Sequence, residues 1–169
     1  MVEPIYLREN EPFPNNDYPV LYFENALGDL FGDDYTTDDV LGLFERNGYT
    51  NGWVNGIMDR HHFHSNAHEA LACTKGEVRV QLGGPHGEMV TFRKGDVVLL
   101  PAGTSHKKLD ATENFEIVGA YPTSNPEHDF QYGDTDSYDD IKERIALVDK
   151  PETDPVTGAP GNIETHWPD

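Results

Sequence analysis

The chain is predicted to form an all-β domain, a double-sheet jelly-roll barrel with two short helices and extended terminal arms. Three observations point there. Residues 49–121 break into short runs in which apolar residues alternate with polar ones. Turn signals recur between those runs, at Lys75-Gly76, Gly83-Gly84-Pro85-His86-Gly87, Lys94-Gly95-Asp96 and Pro101-Ala102-Gly103. Twelve prolines and sixteen glycines supply the turns that such a cadence needs.

Taken in order, residues 1–30 read as arms and turns, with Val20-Leu21-Tyr22-Phe23 as a strand added to a sheet edge. Thr37 to Asn47 reads as a helix. Thr37 can cap it, Asp38 and Asp39 suit its first turn, and Val40, Leu41, Leu43 and Phe44 form its apolar side, with Gly48 just past its end. Within the barrel, Glu69, Leu71 and Cys73 share one strand face, and Ala70, Ala72 and Thr74 the other. Val78, Val80 and Leu82 then point inward between Glu77, Arg79 and Gln81, and Val90 and Phe92 continue that pattern. Residues 123–135 read as a polar loop. Ser137 to Val148 reads as a second helix capped by Ser137, with Ile141, Ile145 and Val148 on one face. The four prolines of 149–169 suggest a tail laid across the barrel. The expected organisation is one domain in three stretches: 1–48 packed on the barrel, 49–122 the barrel core, and 123–169 loop, helix and tail.

Composition bounds the function. Asp and Glu number 31 against 12 Lys and Arg, a formal net charge of -19. Such a surface repels nucleic acid, whose binding rests on Lys and Arg at phosphates. The acidic residues are spread along the chain, as expected for a protein adapted to high salt, where screening relieves self-repulsion. No apolar run approaches the ~20 residues of a membrane helix. Met1-Val2-Glu3-Pro4 lacks the basic-then-apolar order of an export signal, and Cys73 is the only cysteine. The expectation is a cytoplasmic protein with no membrane partner.

Chemistry concentrates between Gly56 and His106. His62 and His64 lie two apart, so on a strand they share a face. Glu69 follows after a break, and His106 comes after a Gly-Asp turn, an apolar strand and a Pro-x-Gly turn. Three imidazoles and one carboxylate suit a first-row transition metal better than calcium. Strict alternation from His62 would put His68 on the ligand face and Glu69 off it, whereas the pattern after residue 69 says the opposite. A bulge or tight bend at Ser65-Asn66-Ala67 would shift the phase by one residue and make Glu69 the ligand, with His68 as the reserve ligand and otherwise an exposed or rim histidine. Arg60 shares parity with His62 and is expected either to line the cavity and hold an anionic group of the substrate or to snorkel to the rim. His61 is expected outside and His86 exposed. His128 and His166 fall in loop and tail, with His128 within reach of the barrel mouth. Trp53, Tyr121 and Tyr132 read as packing residues, and Cys73 as a small inward-facing core residue.

Gly56, His62, His64, Glu69 and Gly76 fill the pattern G-x5-H-x-H-x4-E-x6-G. Gly95, Pro101, Gly103 and His106 fill four positions of G-x5-P-x-G-x2-H-x3-N, with Asp110 in place of the last Asn. In these motifs the chain resembles the cupin superfamily. The phrases Asn55-Gly56, His64-Ser65, Leu82-Gly83-Gly84, Gly119-Ala120-Tyr121-Pro122 and Asp154-Pro155-Val156-Thr157-Gly158 resemble the YjlB-type single-domain cupins. The resemblance implies a double-stranded β-helix barrel and one divalent transition metal held by His62, His64, Glu69 and His106, with manganese, iron or nickel favoured and zinc able to bind. Two coordination positions would remain for water, dioxygen or a chelating substrate. It further implies a metal-dependent, dioxygenase-like oxidoreductase acting on a small organic acid; read from the residues, Glu69 would shuttle a proton when its metal bond loosens and Arg60 would meet substrate charge. The alternatives are a non-catalytic module for a small ligand or metal, and a metal-dependent isomerase. A homodimer is expected, with the Val20–Phe23 strand or the tail crossing to a second copy.

Overall fold

Glu69–Lys75 is the strand around which the barrel closes. Leu71 and Cys73 on one face pack with Val78, Val80, Leu82, Phe92, Val98, Leu100 and Ile117 inside the barrel. Ala70 and Ala72 on the other face pack outward under Leu27, Val40, Phe44 and Trp167. Both faces are buried as far as Thr74, so the middle of the strand, Ala70 to Cys73, is apolar on both sides.

The computed structural model describes residues 2–122, 127–134 and 136–169. The predicted loop 123–135 therefore lies partly outside them, at 123–126 and 135. The strands are β1 (Val2–Ile5), β2 (Val20–Phe23), β3 (Tyr49–Asn55), β4 (Glu69–Lys75), β5 (Glu77–Leu82), β6 (Glu88–Arg93), β7 (Val97–Leu100), β8 (His106–Ala111) and β9 (Glu116–Pro122). They form a six-stranded sheet in the order β1-β2-β7-β4-β9-β3 and a three-stranded sheet in the order β6-β5-β8. Every strand pair is antiparallel. The two sheets enclose the apolar interior, the jelly-roll arrangement expected of the chain.

The ends of the chain depart from expectation in instructive ways. Besides the two predicted helices, α2 (Thr37–Arg46) and α3 (Tyr138–Ala146), there are two short ones, α1 (Ala26–Phe31) and α4 (Gly161–His166). Neither is long enough to show a helical period in sequence. Helix α2 is capped by Thr36, not Thr37. The Thr36 hydroxyl accepts from the Asp39 amide at 3.1 Å, and the Asp39 carboxylate accepts from the Thr36 amide at 2.9 Å. Thr37 is thereby free to donate to Glu116 on β9 at 2.7 Å, tying the helix to the sheet. Ser137 precedes α3 but makes no side-chain cap.

Strand β2 is not an edge. It pairs with β1 on one side and β7 on the other, so the N-terminal stretch is part of the large sheet. The tail also stays at home. Trp167 is fully buried, donates its indole N–H to the Pro19 carbonyl at 2.8 Å and stacks on Tyr18 with ring centroids 5.4 Å apart. Burying such a ring contributes on the order of 3–5 kcal/mol. Both segments on which the dimer expectation rested are used within the chain. No helix among the described residues is long and apolar enough to cross a membrane.

Candidate metal centre

The backbone sets the site before any side chain does. His62 and His106 lie opposite each other and exchange both main-chain hydrogen bonds, His62 N to His106 O at 3.3 Å and His106 N to His62 O at 2.9 Å. Directly opposed residues project to the same side, and the two imidazole centroids are 4.1 Å apart. His64 is fixed by a different contact, its carbonyl accepting from the Gly103 amide at 2.8 Å. Gly103 has φ of +88°, and a Cβ there would meet the Asn15 carbonyl at 2.6 Å, so the Pro101-Ala102-Gly103 turn requires glycine for both conformation and space. Glu69 opens β4 opposite Leu100.

Between His64 and Glu69 the chain bends at Ser65 and Asn66, and that bend makes the phase shift. It is not a bulge within one ladder, since residues 62–64 pair only through isolated bridges to His106 and Gln131. Asp129 holds the bend. Its carboxylate accepts from the Ser65 amide at 2.7 Å and from the Ser65 hydroxyl, and its own amide donates to Asn66 at 2.9 Å. Arg144 of α3 reaches the same group, 2.9 Å from the Ser65 hydroxyl and 3.5 Å from Asp129. Asp129 was not legible in the sequence, where it is one acid in a polar loop.

Each of the three histidines donates from Nδ1 to a backbone carbonyl: His62 to Arg60 at 2.8 Å, His106 to Thr104 at 3.0 Å, and His64 to Asp129. A carbonyl only accepts, so Nδ1 carries the proton and the Nε2 lone pair is left for a ligand. His64, Glu69 and His106 offer donor atoms that all lie within 4.8 Å of one another, and all three residues are buried. Glu69 Oε1 has no hydrogen-bond partner in this buried setting; Nε2 of His64 lies 3.4 Å and Nε2 of His106 3.5 Å from it. An orphaned carboxylate oxygen among imidazole nitrogens is the donor set of a transition ion, so the residues present fit the metal. His62 stands beside this group of three, against His106.

Burial pushes the Glu69 carboxyl up, but the charge of His64 and the contacts with both imidazoles outweigh it and hold the group well below the usual carboxylate range. Burial lowers His64, and Glu69 more than reverses it, so the net shift is upward. His62, desolvated and next to His106, is pushed down to about 3.

The four residues form one end of a cavity of about 450 Å³ that Trp53, Ile57, Met58, Leu71, Tyr121, His128 and Phe130 also line. Trp53 and Tyr121, read as packing residues, pack and line the cavity at once. His128 does reach the mouth, stacked on Tyr121 with centroids 4.2 Å apart.

Arg60 is placed elsewhere. It bonds Asp134 at 3.0 Å and lies over the Tyr132 ring at 3.9 Å, and its side chain is 56% exposed. Parity failed here because no regular strand runs through residue 60. His68 is also not at the rim. It is buried, accepts from the Ala102 amide at Nδ1 at 2.8 Å and donates from Nε2 to the Asp149 carbonyl at 3.1 Å. Asp110 makes a two-pronged surface pair with Arg79 across β5 and β8, at 2.7 and 2.9 Å, and takes no part in the centre. Burial pushes the Cys73 thiol up to about 12, in keeping with an inert core residue.

Residues 53–114 match the model of the cupin domain. A protein of Bacillus subtilis (strain 168), the uncharacterized protein YjlB, is 34% identical over 146 residues, which is 86% of this chain and 84% of that protein. Among solved structures, acireductone dioxygenase from Bacillus anthracis with a cadmium ion in its active centre is 15% identical, covering 62% of this chain and 78% of that one, with a TM-score of 0.39. Pumpkin seed globulin is 24% identical over 50% of this chain, at a TM-score of 0.36, and the match spans only 21% of the globulin. The identity with YjlB over most of both chains, joined to the motif residues gathered at one centre, makes this chain a single-domain member of the cupin superfamily.

Proposed function

We propose that the chain is a metal-dependent oxidoreductase of dioxygenase-like chemistry that acts on a small chelating organic compound. One observation carries the reading: a buried, unpartnered Glu69 Oε1 sits between two imidazole Nε2 atoms at the end of a cavity large enough for a substrate. His64, Glu69 and His106 would hold one divalent ion, with His62 as the fourth ligand. Manganese, iron or nickel would supply Lewis acidity and an electron-transfer path when bound.

The protein's own groups do the rest. Nδ1–carbonyl bonds hold the imidazoles in one tautomer and orientation. Leu71, Ile57 and Phe130 limit water around the reacting groups. Glu69 is the one carboxylate lining the cavity among the described residues, so its carboxylate is the place for a proton that leaves the substrate once its hold on the ion loosens. Arg60 cannot meet substrate charge from where it lies, and support for a small acid held by a cation falls away.

The test is elemental analysis of protein purified without chelators, followed by oxygen uptake with a panel of hydroxy-, keto- and diketone-like compounds. Stoichiometric metal and uptake lost in His64→Ala are expected. No metal after reconstitution would overturn the proposal; bound metal without uptake across the panel would replace it with the ligand-binding reading.

A further inference from the structure

The lining of the cavity is selective in charge. Among the described residues that line it there is no Lys or Arg; the formal charge is that of Glu69. The nearby cations are engaged outside it. Arg60 is bound to Asp134 and Tyr132, Arg144 to Ser65, Asp129 and Asp136, and Lys108 lies over the Phe115 ring at 5.5 Å. A divalent ion and Glu69, with neutral imidazoles, leave one positive charge at the centre. A monoanionic ligand neutralises it. A dianion leaves a net negative charge in an apolar enclosure, inside a chain of net charge -19.

The lining is also selective in shape. Tyr121 and His128 are stacked with 16° between their planes, and His64 meets Tyr121, His128 and Phe130 edge-on at 5.8, 4.8 and 5.0 Å. The indole and phenol of the wall are already engaged with each other. Trp53 donates its indole N–H to the Tyr121 hydroxyl at 3.1 Å, and that hydroxyl faces Glu69. Phe130 and Met58 remain 50% and 37% exposed, an apolar rim that a ligand would cover. A two-carbon diacid would leave most of a 450 Å³ cavity wet against these rings.

We infer that this cavity takes a monoanionic, bidentate oxygen chelator carried on a planar aromatic body, and discriminates against small dicarboxylates. The inference rests on the metal-centre reading above. It assigns Phe130, Met58 and the Tyr121–His128 stack to substrate choice.

Zinc-loaded full-length protein can test it without turnover. Tropolone, a monoanionic aromatic chelator near neutral pH, is titrated by its absorbance, with oxalate as competitor. Each affinity is divided by that for free zinc, and zinc content is measured on the same sample. The protein should favour tropolone over oxalate by at least about tenfold more than free zinc does. Phe130→Ala and Met58→Ala should each weaken tropolone at least about threefold with oxalate and zinc content unchanged, and Phe130→Arg should shift the preference toward oxalate. Both rim residues are exposed, so these variants keep the core intact. A preference equal to or below that of free zinc overturns the inference alone, as does equal weakening of both ligands by the rim variants. A chain that takes up no zinc overturns the metal-centre reading together with it.

Discussion

Trp53 and Tyr121 are joined by a single hydrogen bond, indole Nε1–H to phenol oxygen at 3.1 Å, in the wall of the cavity that Glu69 also lines. Trp53 lies across from Gly119 on β9, where a Cβ would come within 2.2 Å of the indole ring. Glycine there lets the indole lie flat on the strand, and the flat indole aims its N–H at Tyr121. Burial, then the charge of Glu69, pushes the Tyr121 phenol above its ordinary value, so it stays a neutral hydroxyl beside the carboxylate.

Tyr121→Phe should therefore lower metal affinity by roughly 10–100-fold, the usual effect of removing a group that orients a ligand. Trp53→Phe should have a smaller effect of the same sign. Competition with a fluorescent chelator measures both; an unchanged affinity in Tyr121→Phe would show that Glu69 is positioned by β4 alone.

His68 and Glu69 are neighbours with separate tasks. Replacing His68 by Ala strands the buried Ala102 amide, removes the donor to the Asp149 carbonyl and removes the ring packed on Trp167 at 5.0 Å. A loss of about 2–4 kcal/mol is expected, with metal content unchanged. Glu69→Gln should do the reverse, stripping metal with little loss of fold. Urea midpoints and elemental analysis on both variants separate the two roles.

Glu116 gives the acid limb of stability a testable origin. The Thr37 hydroxyl, aided by Thr74 at 2.8 Å and Lys75 at 3.4 Å, holds its carboxyl below the ordinary 4.5 against a smaller upward push from burial. A carboxyl lowered in the folded state contributes stability in full above the unfolded value, and that contribution is lost as pH falls through the folded one. Glu116→Gln should be less stable than the parent at pH 6, and the gap should close toward pH 3.

Molar potassium chloride should raise the melting midpoint markedly over dilute buffer. The chain carries a net charge of -19, and at ~1 M salt the screening length is near 3 Å, so most long-range repulsion between its carboxylates vanishes. Calorimetry across a potassium chloride series checks this; a flat midpoint would leave the acidic surface as a means of solubility only.

The sequence by itself determined the barrel, its inward face and the residues of the candidate metal site. Leu71, Cys73, Val78, Val80 and Leu82 announced the interior because strand periodicity is local, and the residue types at 62, 64, 69 and 106 pointed to a candidate metal site, of which the fold brings His64, Glu69 and His106 within reach of one ion. Only the tertiary structure decided which parity holds outside the ladders. Arg60 points to solvent and His68 into the core because the segment 56–68 is shaped by Asp129, Gly103 and His106, which are distant in sequence. The same reason hid the cavity wall: His128 and Phe130 come to His64 through a loop anchored by Arg144, and no period in the chain records a contact made across more than sixty residues.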